Sequence, residues 1–416
     1  MNVSIVSIGD ELLIGQVVNT NASWLGQTLT SAGHAVRSVV AVGDEHEAIT
    51  TALRRAAAES DLVFTSGGLG PTEDDLTRGT ICRLLGCDLV YDQDQLVRIE
   101  KRFARSGYEV NERSRRQALV PAACRVVPNE FGSAPGLAFE LDGSTIYVLP
   151  GVPSELKGIV TTRILPEIPP PGSIARVDFL VFGPTESELA HLLEEVNPLL
   201  GESEGEGITL AYLPSPGGIR LRLLAIDGSN APGSRFEKIA GMIRTAVAGS
   251  LVAEEDTTLQ VALGRILMER GATLATAESC TGGMIGTMLT DAPGSSGFYL
   301  GGVISYANSA KVDLLGVVPA TLEEHGAVSR KTAEEMAEGA RKRFGSTIAI
   351  ATTGIAGPDG GTAEKPVGTI WIAVASASRT VARSFLLGGE RAIVRQRASA
   401  IALDMARREL LHAESR

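Results

Sequence analysis

The chain has 416 residues, with 38 Lys plus Arg against 49 Asp plus Glu and a formal net charge of −11. An acidic surface repels nucleic-acid phosphate and anionic lipid, which disfavours a general nucleic-acid-binding role; a local pocket of arginine and backbone N–H groups can still take a small anion. Hydrophobic residues make up 44 % and aromatics only 4 %, so the core has to be built from Ala, Val, Leu and Ile, as in α/β layers whose buried parallel strands read as short aliphatic runs. A typical domain spans about 100–200 residues, which predicts two to four of them.

The N-terminal run MNVSIVSIGDELLIG lacks a basic start, so no signal peptide is expected. No apolar stretch approaches the ~20 residues of a membrane span. Cys82, Cys87, Cys124 and Cys280 form neither a CxxC pair nor a zinc spacing and read as free thiols in a reducing cytoplasm.

In chain order, residues 3–8 read as a strand ending in Gly9-Asp10, 22–32 as a helix, 36–42 as a strand, 47–59 as an Ala-rich helix and 61–65 as a strand ending in Ser66-Gly67-Gly68. This β-α-β-α-β order predicts a parallel sheet with right-handed crossovers and a ligand beyond the carboxyl ends of its strands. The proline-rich run 166–172 marks a first boundary. A strand at 176–181, a helix at 186–195, a loop at 201–207, strands at 208–213 and 219–226 and a helix at 235–248 make a small α+β module. A second boundary falls near Glu254-Glu255-Asp256. Beyond it, strands at 273–275, 347–351 and 369–375 alternate with helices at 258–270, 284–290 and 332–344. The expected division is therefore 1–170, 171–253 and 254–416, with α/β architecture at both ends.

Two regions carry chemistry. In the first, Gly67, Gly68 and Gly70 form a turn in which the backbone can approach phosphate, with Thr72 as a candidate helix cap. Asp10 and Asp74 stand beside it; carboxylates next to a phosphate cradle imply a divalent cation between them. Glu11 is a weaker candidate, because it can cap its own turn. IGDELLIGQVVNTNASWL and FTSGGLGPTEDDLTR resemble a molybdopterin-binding three-layer α/β/α fold. With QALVPAACRVVPNEFGSAPG and YVLPGVPSELKGI, the region is similar to the N-terminal domain of the CinA family. That resemblance implies a pyrophosphatase that uses Co2+, Mg2+ or Mn2+ to split ADP-ribose into AMP and ribose 5-phosphate. Ser114 stands where a second asparagine is expected, and Asn111, Gln117 and Lys157 are candidates to line the crevice. The middle block, with FGPTESELAHLLEE and AYLPSPGGIRLRL, resembles a KH-type module. It has no GXXG flanked by basic residues, so a scaffold or dimer contact is preferred to RNA binding.

In the second region, AESCTGG places Ser279, Cys280, Thr281, Gly282 and Gly283 at a strand-to-helix turn. Ser296 follows in PGSS, Tyr306 and Lys311 in SYANSAK, Thr353, Gly354, Gly357 and Gly360 in a glycine-rich loop, and Arg391 and Arg395 on a basic helix start. A serine needs a base to become a nucleophile. The only histidines beyond residue 191 are His325 and His412, whereas a buried lysine can serve once burial lowers its pKa. The glycine loops are expected to offer N–H donors to an oxyanion and to phosphate, and Arg391 or Arg395 to bind phosphate. Cys280 reads as packing.

AESCTGG, GGVISYANSAK and TTGIAGPDGGTAEKPVG resemble the C-terminal domain of the CinA family, the nicotinamide mononucleotide deamidases. The resemblance implies a metal-free conversion of nicotinamide mononucleotide to nicotinate mononucleotide and ammonia, in a homodimer. It carries over Ser279, Ser296, Tyr306, Lys311, Thr353 and Arg391. Ser296 is the first candidate nucleophile, with Lys311 as base, and Ser279 is close behind. Two other readings stay open: a non-catalytic, competence-related scaffold, and a molybdopterin-binding protein.

Overall fold

A computed structural model of the chain describes residues 1–70, 75–107, 111–168, 174–203, 206–226 and 231–412. Contacts divide it into two units, Met1–Ser173 and Ile174–Arg416.

In the first unit the sheet order is Ala35–Val42, Asn2–Ile8, Leu62–Ser66, Ser144–Leu149, Gly136–Leu141 and Arg125–Val127. The first four strands are parallel, Gly136–Leu141 pairs antiparallel with Ser144–Leu149, and Arg125–Val127 pairs antiparallel with Gly136–Leu141. Because side chains alternate along a strand, Val3, Ile5, Leu62 and Phe64 enter one core cluster, and Val6, Ile8 and Val63 the other. The helix His46–Glu59 covers the second face through Ile49, Leu53, Ala56 and Ala57, which recur at helical spacing. The helix Thr20–Ser31 covers the first face and is capped by Asn19, whose side chain accepts from Ala22 N. All carboxyl ends of the parallel strands open on one edge, where the ligand was expected. The helix after the glycine turn begins at Thr77, with Leu76 as its N-cap; Thr72 and Asp74 lie outside the described residues.

The second unit holds two sheets. An antiparallel one runs Gly201–Ser203, Glu206–Ser215, Gly218–Ile226, Ile174–Val181 and Leu251–Ala253. Within the segment 201–207, expected from sequence to be a loop, residues 201–203 pair instead with 206–208: Gly201 stands opposite Ile208. Glycine and glutamate are poor strand formers, and the pairing overrides that preference. The other sheet runs Tyr299–Ile304, Leu274–Glu278, Ile348–Gly354, Thr369–Ala375 and Thr380–Leu386, with its first three strands parallel. Ile348 and Ile350 face one cluster, and Ala349 and Ala351 the other. The alanine face lets the helix Arg330–Phe344 pack closely through Ala333, Met336, Ala337 and Ala340. Among the described residues, no helix is long and apolar enough to cross a membrane.

Candidate active sites

In the second unit the strand Leu274–Glu278 stops at Ser279, and the helix Met284–Thr290 begins five residues later. One buried carboxylate holds this turn. Glu278 accepts from Thr281 Oγ1 at 2.7 Å and from the N–H groups of Gly283, Ile285 and Gly286 at 2.9, 3.1 and 2.8 Å. A negative group is favoured at a helix N-terminus, and each bond here satisfies an otherwise unpaired donor. Sequence analysis missed Glu278. Of the turn glycines expected to offer N–H groups to an oxyanion or a phosphate, Gly283 donates to this carboxylate and Gly282 to Ser279 O at 3.1 Å. Thr281 is likewise internal: its hydroxyl meets Thr352 Oγ1 at 2.7 Å, and its carbonyl accepts from Arg395 at 2.7 and 3.2 Å. Arg395 therefore ties the helix Arg391–His412 to the turn.

Beside the turn lies a pocket of about 190 Å³, lined by Ser279, Tyr306, Lys311, Thr353, Gly354 and Arg391 among others. Lys311 belongs to the helix Asn308–Leu315 and is only 1 % exposed. Its Nζ donates to the carbonyls of Ser305 and Tyr306 at 2.8 and 3.3 Å and lies 3.2 Å from Ser279 Oγ. Burial pushes the Lys311 amine below its ordinary value, against a smaller opposing effect of Cys280. A neutral amine has two hydrogens and one lone pair. As placed, Nζ donates to the two carbonyls and to Ser279 Oγ; on losing one proton it would keep a lone pair able to accept from the Ser279 hydroxyl. Burial holds the Cys280 thiol up at about 12, so the thiol stays protonated near neutral pH and acts as packing.

Arg391 donates to Gly357 O at 2.8 Å and to Tyr306 Oη at 3.1 Å, setting a guanidinium at the mouth of the pocket. Thr353 spends its hydroxyl on Ala327 O at 2.7 Å. Gly357 meets Arg391 through its carbonyl but does not line the pocket, and Ser296 and Gly360 stand elsewhere. Ser296 sits exposed on the turn Ser295–Gly297 and does not line the pocket that holds Lys311; the chain places Ser279, not Ser296, against the amine. Gly360 is exposed and also outside the lining.

In the first unit a crevice of about 630 Å³ opens at the strand ends and is lined by Gly67, Gly68 and Gly70. Gly67 and Gly68 have φ of 118° and 67°. A Cβ would lie 2.1 Å from Ile8 O at the first and 1.9 Å from Thr77 Oγ1 at the second, so glycine is required at both. Arg78 Nη2 donates to Gly70 O at 2.8 Å and Gly70 N to Asp75 Oδ1 at 2.7 Å, fixing the loop.

Among the described residues, the carboxylates that line the crevice are Glu11, Asp44, Asp75 and Glu155. Asp10, the expected ligand, is not among them: its Oδ1 accepts from Asp44 N and its N–H donates to Asp44 Oδ2, each at 3.1 Å. Asp44 follows a parallel strand's carboxyl end, so the same positional rule that selected Asp10 could have found it. Burial raises the Asp44 carboxyl above its ordinary range. The Asp10 N–H opposes this, and the negative charges of Asp10, Glu11 and Asp75 add to it. Burial also raises Glu155, against the hydrogen bond from Asn129. Gln117 lines the crevice. Asn111 instead caps a short helix, accepting from Ser114 N at 2.8 Å and from Ser114 Oγ at 3.0 Å, and Lys157 lies over the Trp24 ring. Ser114 thus takes part in a local cap. Among the described residues no three His, Cys, Asp or Glu side chains converge as a ready metal-ligand set. The crowded carboxylates still fit a hard divalent cation that completes its shell with substrate oxygens and water.

The fold and these sites define a protein of two α/β units, the first with a glycine-and-carboxylate crevice and the second with a buried serine–lysine pair. A family model described as a probable molybdopterin binding domain matches residues 4–170, and one described as the CinA C-terminal domain matches 256–410. A CinA-like protein of Salinibacter ruber is 42 % identical over 414 residues, covering 99 % of this chain and 100 % of that protein. A putative competence-damage inducible protein of Desulforudis audaxviator is 40 % identical over 400 residues, 95 % of each chain. The chain belongs to the CinA family. Among solved structures, CinA of unknown function from Thermoplasma acidophilum shares 38 % identity over 40 % of this chain and 98 % of its own, with a TM-score of 0.37.

Proposed function

We propose that the second unit hydrolyses the carboxamide of nicotinamide mononucleotide, with Ser279 as nucleophile and Lys311 as base. The supporting observation is the buried Lys311 Nζ at 3.2 Å from Ser279 Oγ. Ser279 Oγ attacks the amide carbon as its proton passes to the neutral Lys311 amine. The C–N bond then breaks and the nitrogen leaves as ammonia, taking that proton. Water attacks the resulting ester, Lys311 accepts its proton and returns it to Ser279, and nicotinate mononucleotide departs. The donors that Arg391 does not spend on Gly357 and Tyr306 are suited to the substrate phosphate. The reaction calls on no metal.

The first unit, in the same reading, splits the pyrophosphate of ADP-ribose. Asp44 and Asp75, with Glu11, would hold a divalent cation, which supplies charge neutralisation on the phosphates. The Gly67–Gly70 loop presents backbone to them. A cytoplasmic homodimer fits the free cysteines and the family resemblance.

The test is ammonia release from nicotinamide mononucleotide by the purified chain, with and without EDTA. Release in both conditions supports the serine–lysine hydrolase. No release from folded protein in either condition contradicts it.

A further inference from the structure

Three of the four cysteines, Cys82, Cys87 and Cys124, gather at one place in the first unit. The helix Thr77–Leu85 ends in Gly86, whose φ of 63° is left-handed, and Cys87 N donates back to Cys82 O at 3.0 Å. This 6→1 closure characteristically brings the side chains of its first and last residues together; here both are thiols, close enough for Cys87 to add to burial in raising the Cys82 thiol. The short ladder Leu89–Tyr91 with Leu119–Pro121, extended by Ala122 N donating to Asp88 O at 2.9 Å, brings the turn carrying Cys124 alongside. Cys124 N closes that turn on Pro121 O at 2.9 Å. All three cysteines are half-buried, so a small oxidant can reach them.

We propose that Cys82 and Cys87 form a vicinal dithiol that a peroxide oxidises reversibly to an intrahelical-cap disulfide. One thiolate attacks the peroxide O–O bond, giving a sulfenic acid and, from hydrogen peroxide, water. The second thiol attacks the sulfenic sulfur and expels the oxygen as a second water. Two thiols lose two electrons and two protons, and the peroxide takes them up. A disulfide needs α-carbons about 4.4–6.8 Å apart, and the 6→1 bond folds the chain back on itself between these two residues. Oxidation therefore locks a cap that is already formed. The opposite end of this helix holds the glycine loop through Thr77 and Arg78, so the dithiol lies on the element that supports the crevice. Burial, together with Cys87, raises the Cys82 thiol to about 11, and burial raises Cys124 to about 12; the rate of oxidation should accordingly rise with pH.

The test uses the full chain, reduced, freed of reductant and exposed to hydrogen peroxide while folded. The proposal expects a loss of two hydrogens per chain that dithiothreitol restores. Because Arg83 lies between the two cysteines, trypsin should release peptides 79–83 and 84–98 joined by a disulfide. Phenylarsine oxide, which bridges adjacent thiols, should bind one per chain. Cys82→Ser should abolish the mass loss, the linked peptides and the arsenical adduct, and Cys124→Ser none of them. A Cys87–Cys124 link, irreversible sulfonic acid without a disulfide, or an unchanged mass would each overturn the proposal. The tryptic map of the wild-type chain decides even if a variant fails to fold.

Discussion

At the turn after Leu274–Glu278, a buried carboxylate and a buried amine are each met by bonds from the chain itself: Glu278 takes four donors, and Lys311 gives to two carbonyls and faces a hydroxyl. Around the crevice of the first unit, Asp44 is raised by burial and by the negative charges of Asp10, Glu11 and Asp75, and Glu155 by burial. A site that satisfies its own charges can run acid–base chemistry unaided. A site with surplus negative charge at a phosphate-facing loop calls for a cation before an anionic substrate can enter.

The two sites should part most sharply under chelation. EDTA should bring ADP-ribose cleavage to background, with recovery on adding Co2+, Mg2+ or Mn2+, and should leave ammonia release unchanged; equal loss of both activities would show that the two sites do not differ in this way. Next in size is Lys311→Met, which should lower ammonia release by about 10²–10⁴-fold, the usual worth of a general base. Its melting temperature should hold or rise, because a buried amine with a lowered pKa costs stability wherever it is charged. That cost is full below the folded-state pKa and fades as pH rises toward the ordinary lysine value of 10.5. Thermal melts across that range check the sign. For the same reason the wild-type deamidation rate should climb with pH and level off before that value is reached.

Arg391→Ala should raise KM for nicotinamide mononucleotide by roughly 10–100-fold, the worth of a charge-assisted bond, with a smaller change in kcat. A kcat loss without a KM change would move Arg391 from phosphate binding to the reacting centre. Glu278→Gln should cost about 1–3 kcal/mol of stability, since one amide cannot accept all four donors; an unchanged denaturation midpoint would mean that the turn holds without it.

Much of this arrangement was legible in the sequence. Aliphatic runs such as SIVSI and DLVFT mark the buried parallel strands, and the rule that ligands lie at their carboxyl ends points to both sites. A lysine close to small hydroxyl residues, in a region poor in histidine, was enough to single out Lys311. Partnership was harder to read. Ser279 and Ser296 are equivalent as residue types, and only the folding of one strand end against the helix Asn308–Leu315 puts Ser279 beside the amine. Glu278 looks like any strand-end acid until the helix start closes over it. Asp10 and Asp44 lie 34 residues apart, and which of them faces the crevice depends on the bonds they exchange. The pairing of 201–203 with 206–208 came from tertiary context that local preference opposed.

The central claim, that Ser279 and Lys311 form the hydrolytic pair, is tested most directly by measuring ammonia release from nicotinamide mononucleotide for Ser279→Ala and Ser296→Ala side by side, with folding checked by circular dichroism. The account predicts activity near background for Ser279→Ala and within a few-fold of wild type for Ser296→Ala. The reverse pattern in two folded variants would contradict it and return the nucleophile to the exposed turn.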